Sequence, residues 1–173
     1  MDAPEAASFH DHFTALFQVH FPRLYRYLDR LSGEPELAAD VAQEAFIRLF
    51  RRGSLPDAPE AWLISVAMNL FRNERSSRSR RSRLLTPARS EAVLSDGPPS
   101  PEQAAVSEDS RRRVRTAING MPERERQLLL LRAEGYSYRD MAEALDLNEA
   151  SIGTLLARAR AAFRECYEDP DAP

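Results

Sequence analysis

Lysine is missing from this chain: all 24 of its basic residues are arginine, set against 27 acidic residues. Arginine-only usage follows from genomic base composition and does not by itself point to nucleic acid. The net charge of −3 is equally silent, because a small sum hides local patches. The single cysteine, Cys166, excludes an internal disulfide and stands at no metal-ligand spacing; a redox-sensing thiol is the alternative to a plain reduced one. Histidine is scarce too. His10, His12 and His20 cluster near the N-terminus, but His10 and His12 would point to different sides of a helix and make a poor metal pair. With no glycine-rich phosphate loop and no nucleophile elbow, the chain is expected to be no enzyme, with no cofactor, no metal and no small-molecule substrate. No apolar run approaches the ~20 residues of a membrane span. The opening MDAPEAASFHDHF lacks a basic n-region and an apolar core, so the chain reads as cytoplasmic.

Two helical halves flank a segment of different character, with no alternating-apolar strand pattern. Residues 1–83 form the first half. Ser8 is placed to cap a helix bearing Phe9, Phe13, Leu16 and Phe17 on one face. Pro22 suits the first turn of a second segment with Leu24, Tyr25, Leu28 and Leu31, stopped by Gly33. The run PELAADVAQEAFIRLFRRG repeats Leu37, Val41, Ala45 and Leu49, joined by Phe46 and Phe50, up to Gly53. Asp57 reads as the N-cap of DAPEAWLISVAMNLF, with Pro59 near the first turn, Glu60 as its capping-box partner, and Trp62, Leu63, Val66, Ala67 and Leu70 as the buried stripe. Trp62 therefore reads as core rather than as a stacking platform. From Arg72 to Arg83 six arginines (72, 75, 78, 80, 81, 83) face one acid, Glu74.

Residues 84–107 hold four of the twelve prolines and no helical stripe, the composition of a flexible linker. Its surroundings are mildly acidic, and fully extended it spans roughly 80 Å.

Residues 108–173 form the second half. Val114, Ile118 and Met121 mark a helix ending near Gly120. Pro122 opens another that runs to Gly135. Ser137 caps YRDMAEAL with Asp140 three residues on, and Asn148 caps a last helix running to about Tyr167. Met141, Ala142 and Leu145 face Ile152, Leu155 and Leu156 across a turn plugged by Leu147. This is either a helix-turn-helix, whose second helix enters the major groove, or a hairpin inside a bundle.

The stretch MPERERQLLLLRAEGYSYRDMAEAL resembles the C-terminal DNA-binding domain of bacterial extracytoplasmic-function (ECF) sigma factors, nearly residue by residue from Met121 to Leu147. ELAADVAQEAFIRLFRR and PEAWLISVAMNLFRNERSSRSRR resemble the N-terminal domain of the same family. The resemblance implies an all-α fold: two small helical domains on a flexible linker, the C-terminal one a helix-turn-helix. It also implies a factor that directs core RNA polymerase to promoter DNA and nucleates strand opening, under an anti-sigma factor that is either membrane-bound or free. Polymerase docking falls on Asp40, Gln43, Glu44, Ile47, Arg48 and Arg51. Recognition of the −10 element falls on Ser54 and Leu55, in the loop that would take a flipped base, and on Asn69, Arg72, Asn73, Arg75 and Arg78. Recognition of the −35 element falls on Arg139, Asn148, Ser151, Thr154 and Arg158.

The chain departs from the family at four points. Gly153 and Leu155 stand where Lys and Arg are common, Asp146 where the turn usually has Gly, and Asn73 where Asp is frequent. Each missing phosphate contact flattens the salt dependence of DNA binding by about one unit. Gly153 inside a helix costs on the order of 1 kcal/mol against Ala, which suggests close backbone approach to DNA or to another helix. Two other readings stay open: a helix-turn-helix transcriptional regulator, which would dimerise on a palindrome, and a sigma-like adaptor acting through protein contacts.

Overall fold

The computed structural model describes residues 3–82 and 101–168, with side chains for 9–77 and 108–168. Seven helices and no strand occur among the described residues: α1 (Ala3–Ser32), α2 (Pro35–Arg52), α3 (Pro59–Ser82), α4 (Pro101–Gly120), α5 (Glu123–Ala133), α6 (Tyr138–Leu145) and α7 (Glu149–Glu168). No described helix is long and apolar enough to cross a membrane.

The start and stop signals act through local chemistry. Gly33 and Gly53 take left-handed φ angles of 70° and 73° and end α1 and α2, a conformation that costs a residue without Cβ little. Ser137 and Asp140 form a complete capping box at α6. The Asn148 side-chain oxygen accepts from the Ala150 N–H at 2.9 Å and caps α7.

Three local expectations are corrected. α1 is one helix, running through Pro22 from Ala3 rather than starting after Ser8. Pro22 removes one backbone donor, but the helix is held from outside: Phe17 and Phe21 lie 5.1 and 5.8 Å from the Phe46 ring of α2, and Leu24, Tyr27, Leu28 and Leu31 are buried. Packing on both sides of the proline outweighs the lost hydrogen bond. Asp57 is not the N-cap of α3. The helix begins at Pro59, and the Ala58 carbonyl accepts from the Trp62 N–H at 3.0 Å. Proline is favoured in a first turn because its missing N–H has no partner there anyway. That frees Glu60 to turn toward α1. Helix α4 begins at Pro101, inside the segment expected to be linker, a first-turn position that proline suits.

Each half builds its own hairpins. α1 packs along α2 and α2 on α3, whereas α4, α5 and α6 all pack on α7. The fully buried side chains include Leu28, Phe46, Leu49, Leu63, Ile64 and Met68 in the first half, and Leu128, Leu131, Met141, Ile152 and Leu156 in the second. The Tyr27 hydroxyl, shut off from water, donates to Met68 Sδ at 3.2 Å, and burial pushes its pKa upward. Trp62 is half-buried against this core. The two halves are themselves in contact: α3 meets α6 and α1 meets α5, and a single apolar core runs from Leu24 to Leu156.

Between α6 and α7, Asp146 occupies a left-handed conformation with φ 53° and ψ 54°, which L-residues adopt at a cost of roughly 1–2 kcal/mol, less for Asp and Asn. Asp146→Gly is expected to raise the unfolding free energy by about 0.5–1 kcal/mol, read as a higher urea midpoint with an unchanged slope.

Candidate functional site

Three polar or mixed surfaces remain once the core is accounted for. The first lies on α2. Asp40, Gln43, Arg48 and Arg51 are exposed and Glu44 and Ile47 half-exposed, all on the side away from the buried stripe. Arg48 Nε pairs with Glu44 one turn earlier at 2.9 Å, an exposed contact worth only about 0.3–0.5 kcal/mol. Gln43, Ile47 and Arg51 also line an apolar cleft of about 450 Å³ together with Phe13, Phe17, Phe21, Phe46 and Phe50. Here the apolar stripe read from sequence is too wide. Phe17 is 39 % and Phe50 50 % exposed, and Val19 reaches 58 %. Both phenylalanines had been assigned inward. The repeat of four carries Phe50 past the centre of the buried face, and an edge-to-face contact with the Phe13 ring at 5.2 Å replaces burial. These aromatic residues beside the docking face were missed as surface residues because helical periodicity marks them as core.

The second surface follows α3. Asn69, Arg72, Asn73 and Arg75 are all exposed on successive turns. Arg72 Nη1 donates to Asn69 Oδ1 at 3.4 Å, and the Arg75 guanidinium sits 5.7 Å from the Phe71 ring centre. Both arginines are exposed, with their charge turned to solvent. Arg78 lies on the same helix, but its side chain is outside those described. Beside α3, the α2–α3 loop borders a polar cleft of about 450 Å³ lined by Arg52, Leu55, Pro56, Asp57, Trp62, Ser65 and, from α6, Glu143. Leu55 lines it; Ser54 is exposed and does not.

The third surface is the start of α7. Ser151, Thr154 and Arg158 are exposed there, and Arg139 is exposed on α6. Ile152, Leu156 and Ala159 turn the opposite side of α7 into the core, so the helix presents its polar face outward over two turns. Asn148 is exposed, but its side-chain oxygen is engaged in the cap, which leaves only its amide N–H groups for a ligand.

Between these surfaces sits a cluster that sequence reading did not anticipate. His20 Nε2 lies 3.3 Å from Glu60 Oε1, and Arg23 Nη1 lies 3.3 Å from His20 Nδ1. Burial, and then the Arg23 charge, hold the His20 pKa below its usual value, partly opposed by Asp140. A guanidinium can only donate, so His20 Nδ1 accepts from Arg23, while Nε2 faces Glu60. Burial, with Asp140 close by, pushes the Glu60 carboxyl upward. No group of His, Cys, Asp and Glu able to hold a metal ion occurs among the described residues.

Gly153, on the exposed side of α7, has no neighbour in the chain that demands a glycine. A Cβ there would meet Tyr138 Cε2 at 3.8 Å, an ordinary contact. Gly153→Ala is therefore expected to stabilise the fold by about 1 kcal/mol, seen as a higher melting temperature; an accompanying loss of duplex DNA affinity assigns the glycine to close approach of DNA.

The family Sigma-70 region 2 matches residues 16–81, and Sigma-70 region 4 matches residues 111–163. The ECF RNA polymerase sigma factor SigE of Mycolicibacterium smegmatis is 31% identical over 155 residues, which are 87% of this chain and 59% of SigE. The RNA polymerase sigma-H factor of Pseudomonas aeruginosa is 32% identical over 151 residues, 80% of this chain and 77% of that protein. The chain thus spans less than two thirds of SigE but most of sigma-H. Among solved structures, the sigma factor RpoE of Bartonella quintana, in complex with the anti-sigma factor NepR, superposes with a TM-score of 0.67 over 94% of this chain and 99% of that one, at 21% identity.

Proposed function

The chain belongs to the ECF family of RNA polymerase sigma factors, and from that premise we propose that it directs core RNA polymerase to two-part promoters and nucleates strand opening without catalysing a reaction itself. The observation that carries this reading is the pairing of two exposed polar helix faces, one on each half, with the two matched sigma regions. On α3 these are Asn69, Arg72, Asn73 and Arg75; on α7, Ser151, Thr154 and Arg158. Each face stands outside the core, so side chains are free to reach a ligand without disturbing the fold.

The division of labour follows from chemistry. The mixed face of α2, with Asp40, Gln43, Glu44, Ile47, Arg48 and Arg51, suits a protein partner. Its charges carry both signs, and Ile47 and the neighbouring phenylalanines supply apolar area at the centre, as protein interfaces require. Core polymerase is that partner. The α3 face and the loop beside it suit the −10 element. Arginine charge holds phosphate, the asparagine amides reach base edges, and the polar cleft of the α2–α3 loop accommodates a base turned out of the stack, a rotation that costs a few kcal/mol and needs binding contacts to offset it. The start of α7 suits a major groove at the −35 element, with Ser151 and Thr154 toward base edges and Arg139 and Arg158 toward phosphate. Gly153 and Leu155 add no charge, so this helix reads bases with a shallow salt dependence.

The segment between the halves must bridge the two elements. Elements at −10 and −35 lie about 25 base pairs apart, roughly 85 Å at ~34–36 Å per helical turn. The residues between α3 and α4, together with the breadth of the two domains, have that distance to bridge. A regulator of the anti-sigma class, like the NepR bound to RpoE in the structural neighbour, fits a factor with such exposed working faces. The site of action is where polymerase and genome meet, in the cytoplasm.

Transcription in vitro with purified core polymerase and a randomised promoter library tests the reading; failure to bind core or to redirect initiation would sink it. Arg72→Ala combined with Arg75→Ala is expected to lower open-complex formation at least about tenfold, the equivalent of ~1.4 kcal/mol, while core binding changes less than twofold. Thr154→Ala is expected to change the preferred upstream sequence in the same library by about 1–3 kcal/mol at one or two positions, with the downstream preference intact.

A further inference from the structure

Phe13, Phe17 and Phe21 recur every fourth residue on α1 and face Phe46, Ile47 and Phe50 of α2 across the cleft of about 450 Å³. The rings hold one another in place. Phe13 meets Phe50 edge to face at 5.2 Å, Phe17 meets Phe46 in the same way at 5.1 Å, and Phe17 stacks on Phe21 at 4.8 Å. Aromatic pairs prefer these geometries, so the walls of the cleft stand without an occupant. Phe17 and Phe50 nevertheless stay open to water, and covering them is favourable.

The cleft has a direction. Phe13 pairs with Phe50, and Phe21 lies 5.8 Å from Phe46. The two helices therefore run antiparallel along it, with Arg51 at the Phe13 end and Gln43 at the Phe21 end. Arg51 makes no hydrogen bond or ion pair among the described residues. Beside it Arg52 is exposed, while Arg48 one turn back is already paired with Glu44. His10 stands at the same end, its ring 6.5 Å from that of Phe50. One end of the apolar groove thus carries an unspent positive charge, and the other ends in a neutral amide.

We propose that this cleft binds a medium-chain carboxylic acid, its chain laid among the phenylalanines and its carboxylate on Arg51. Three observations select that class of ligand. The eight residues from Phe13 to Phe21 measure about 12 Å along the helix, the length of an extended chain of roughly ten carbons. An apolar, aromatic lining with a few polar groups at its edge is the make-up of a small-molecule site; a docked protein covers about 800 Å² on each partner and has to reach well beyond these two rows of side chains. A carboxylic acid is ionised at neutral pH, and a guanidinium receives it through two parallel N–H donors. Gln43, Ile47 and Arg51 also belong to the face assigned to core polymerase, so the acid and the polymerase compete. That consequence rests on the assignment made above, whereas binding of the acid does not.

Calorimetric titration of the full chain tests the site with two probes of the same chain length and opposite charge: sodium decanoate, kept below its micelle concentration, and decyltrimethylammonium. One decanoate per chain is expected, bound at least about tenfold more tightly than the cation, the equivalent of ~1.4 kcal/mol. Arg51→Gln, at an exposed position, is expected to abolish that preference with helix content and urea midpoint unchanged. Phe17→Ala and Phe50→Ala are each expected to weaken both probes at least about fivefold. Should either lose helix content, Arg51→Gln decides alone. Equal affinity for the two probes, uptake of several decanoates per chain, or an Arg51→Gln chain that keeps the preference for decanoate overturns the proposal. So does a chain that ignores decanoate while Phe17→Ala and Phe50→Ala weaken its hold on core polymerase, which gives the cleft to that partner. None of these titrations needs promoter DNA, so a chain that fails to direct transcription yet binds decanoate as described refutes the functional reading and leaves the site standing.

Discussion

A carboxylate almost cut off from water joins the two halves of this molecule. Burying a charge costs several kcal/mol unless partners replace its hydration, and Glu134 finds them in Arg26 and Arg30, with Arg23 on its own backbone carbonyl. The arrangement is asymmetric. Arg26 and Arg30 keep nearly half their surface in water, so within these two ion pairs most of the desolvation falls on Glu134. Such a joint is sensitive to the loss of either side, because the remaining group is then buried or left without its counter-charge. The apolar parts of the joint, Tyr136 and the core that runs through Leu128, Leu131 and Met141, are ordinary by comparison and would hold any two helical bodies together.

The rest of the chain can be understood as keeping its polar faces clear of that joint. The α3 and α7 faces expose their arginines and small polar side chains, and neither is consumed by packing between the halves. Beside the joint, Glu143 of α6 lines the loop cleft together with residues of the α2–α3 loop and α3. His20, Glu60 and Asp140 line the joint from three helices, and burial shifts His20 and Glu60 toward their neutral forms. The joint thus concentrates charge in two ways: a fully paired carboxylate at Glu134, and a mixed cluster that favours neutrality beside it.

Much of this was readable in the chain itself. Gly33, Gly53, Ser137, Asp140 and Asn148 mark element ends by chemistry confined to a few neighbouring residues, and they act where expected. The exposed polar residues of α2, α3 and α7 could be named because each is set opposite an apolar stripe. Where packing competes with a local signal, the sequence misleads. Pro22 looks like a break but lies inside α1, since Phe17, Phe21 and Leu24 bind the helix to α2 on either side of it. Phe50 and Phe17 look like core but stand half in water, since periodicity locates a stripe and not its width.

The sequence by itself determined the all-helical class, most of the helix ends, and, through its resemblance to the sigma family, the presence and order of two sigma-like halves. These depend on periodicity, capping and composition, which act within a turn or two of helix. Only the tertiary structure decided that Arg23, Arg26 and Arg30 meet Glu134, more than a hundred positions away, that Glu143 borders the loop cleft, and that an aromatic cleft opens beside α2. A charged residue on a helix face looks the same in sequence whether it meets water or a buried partner. The difference is made by which bodies pack together, and that depends on the free energy of the whole assembly.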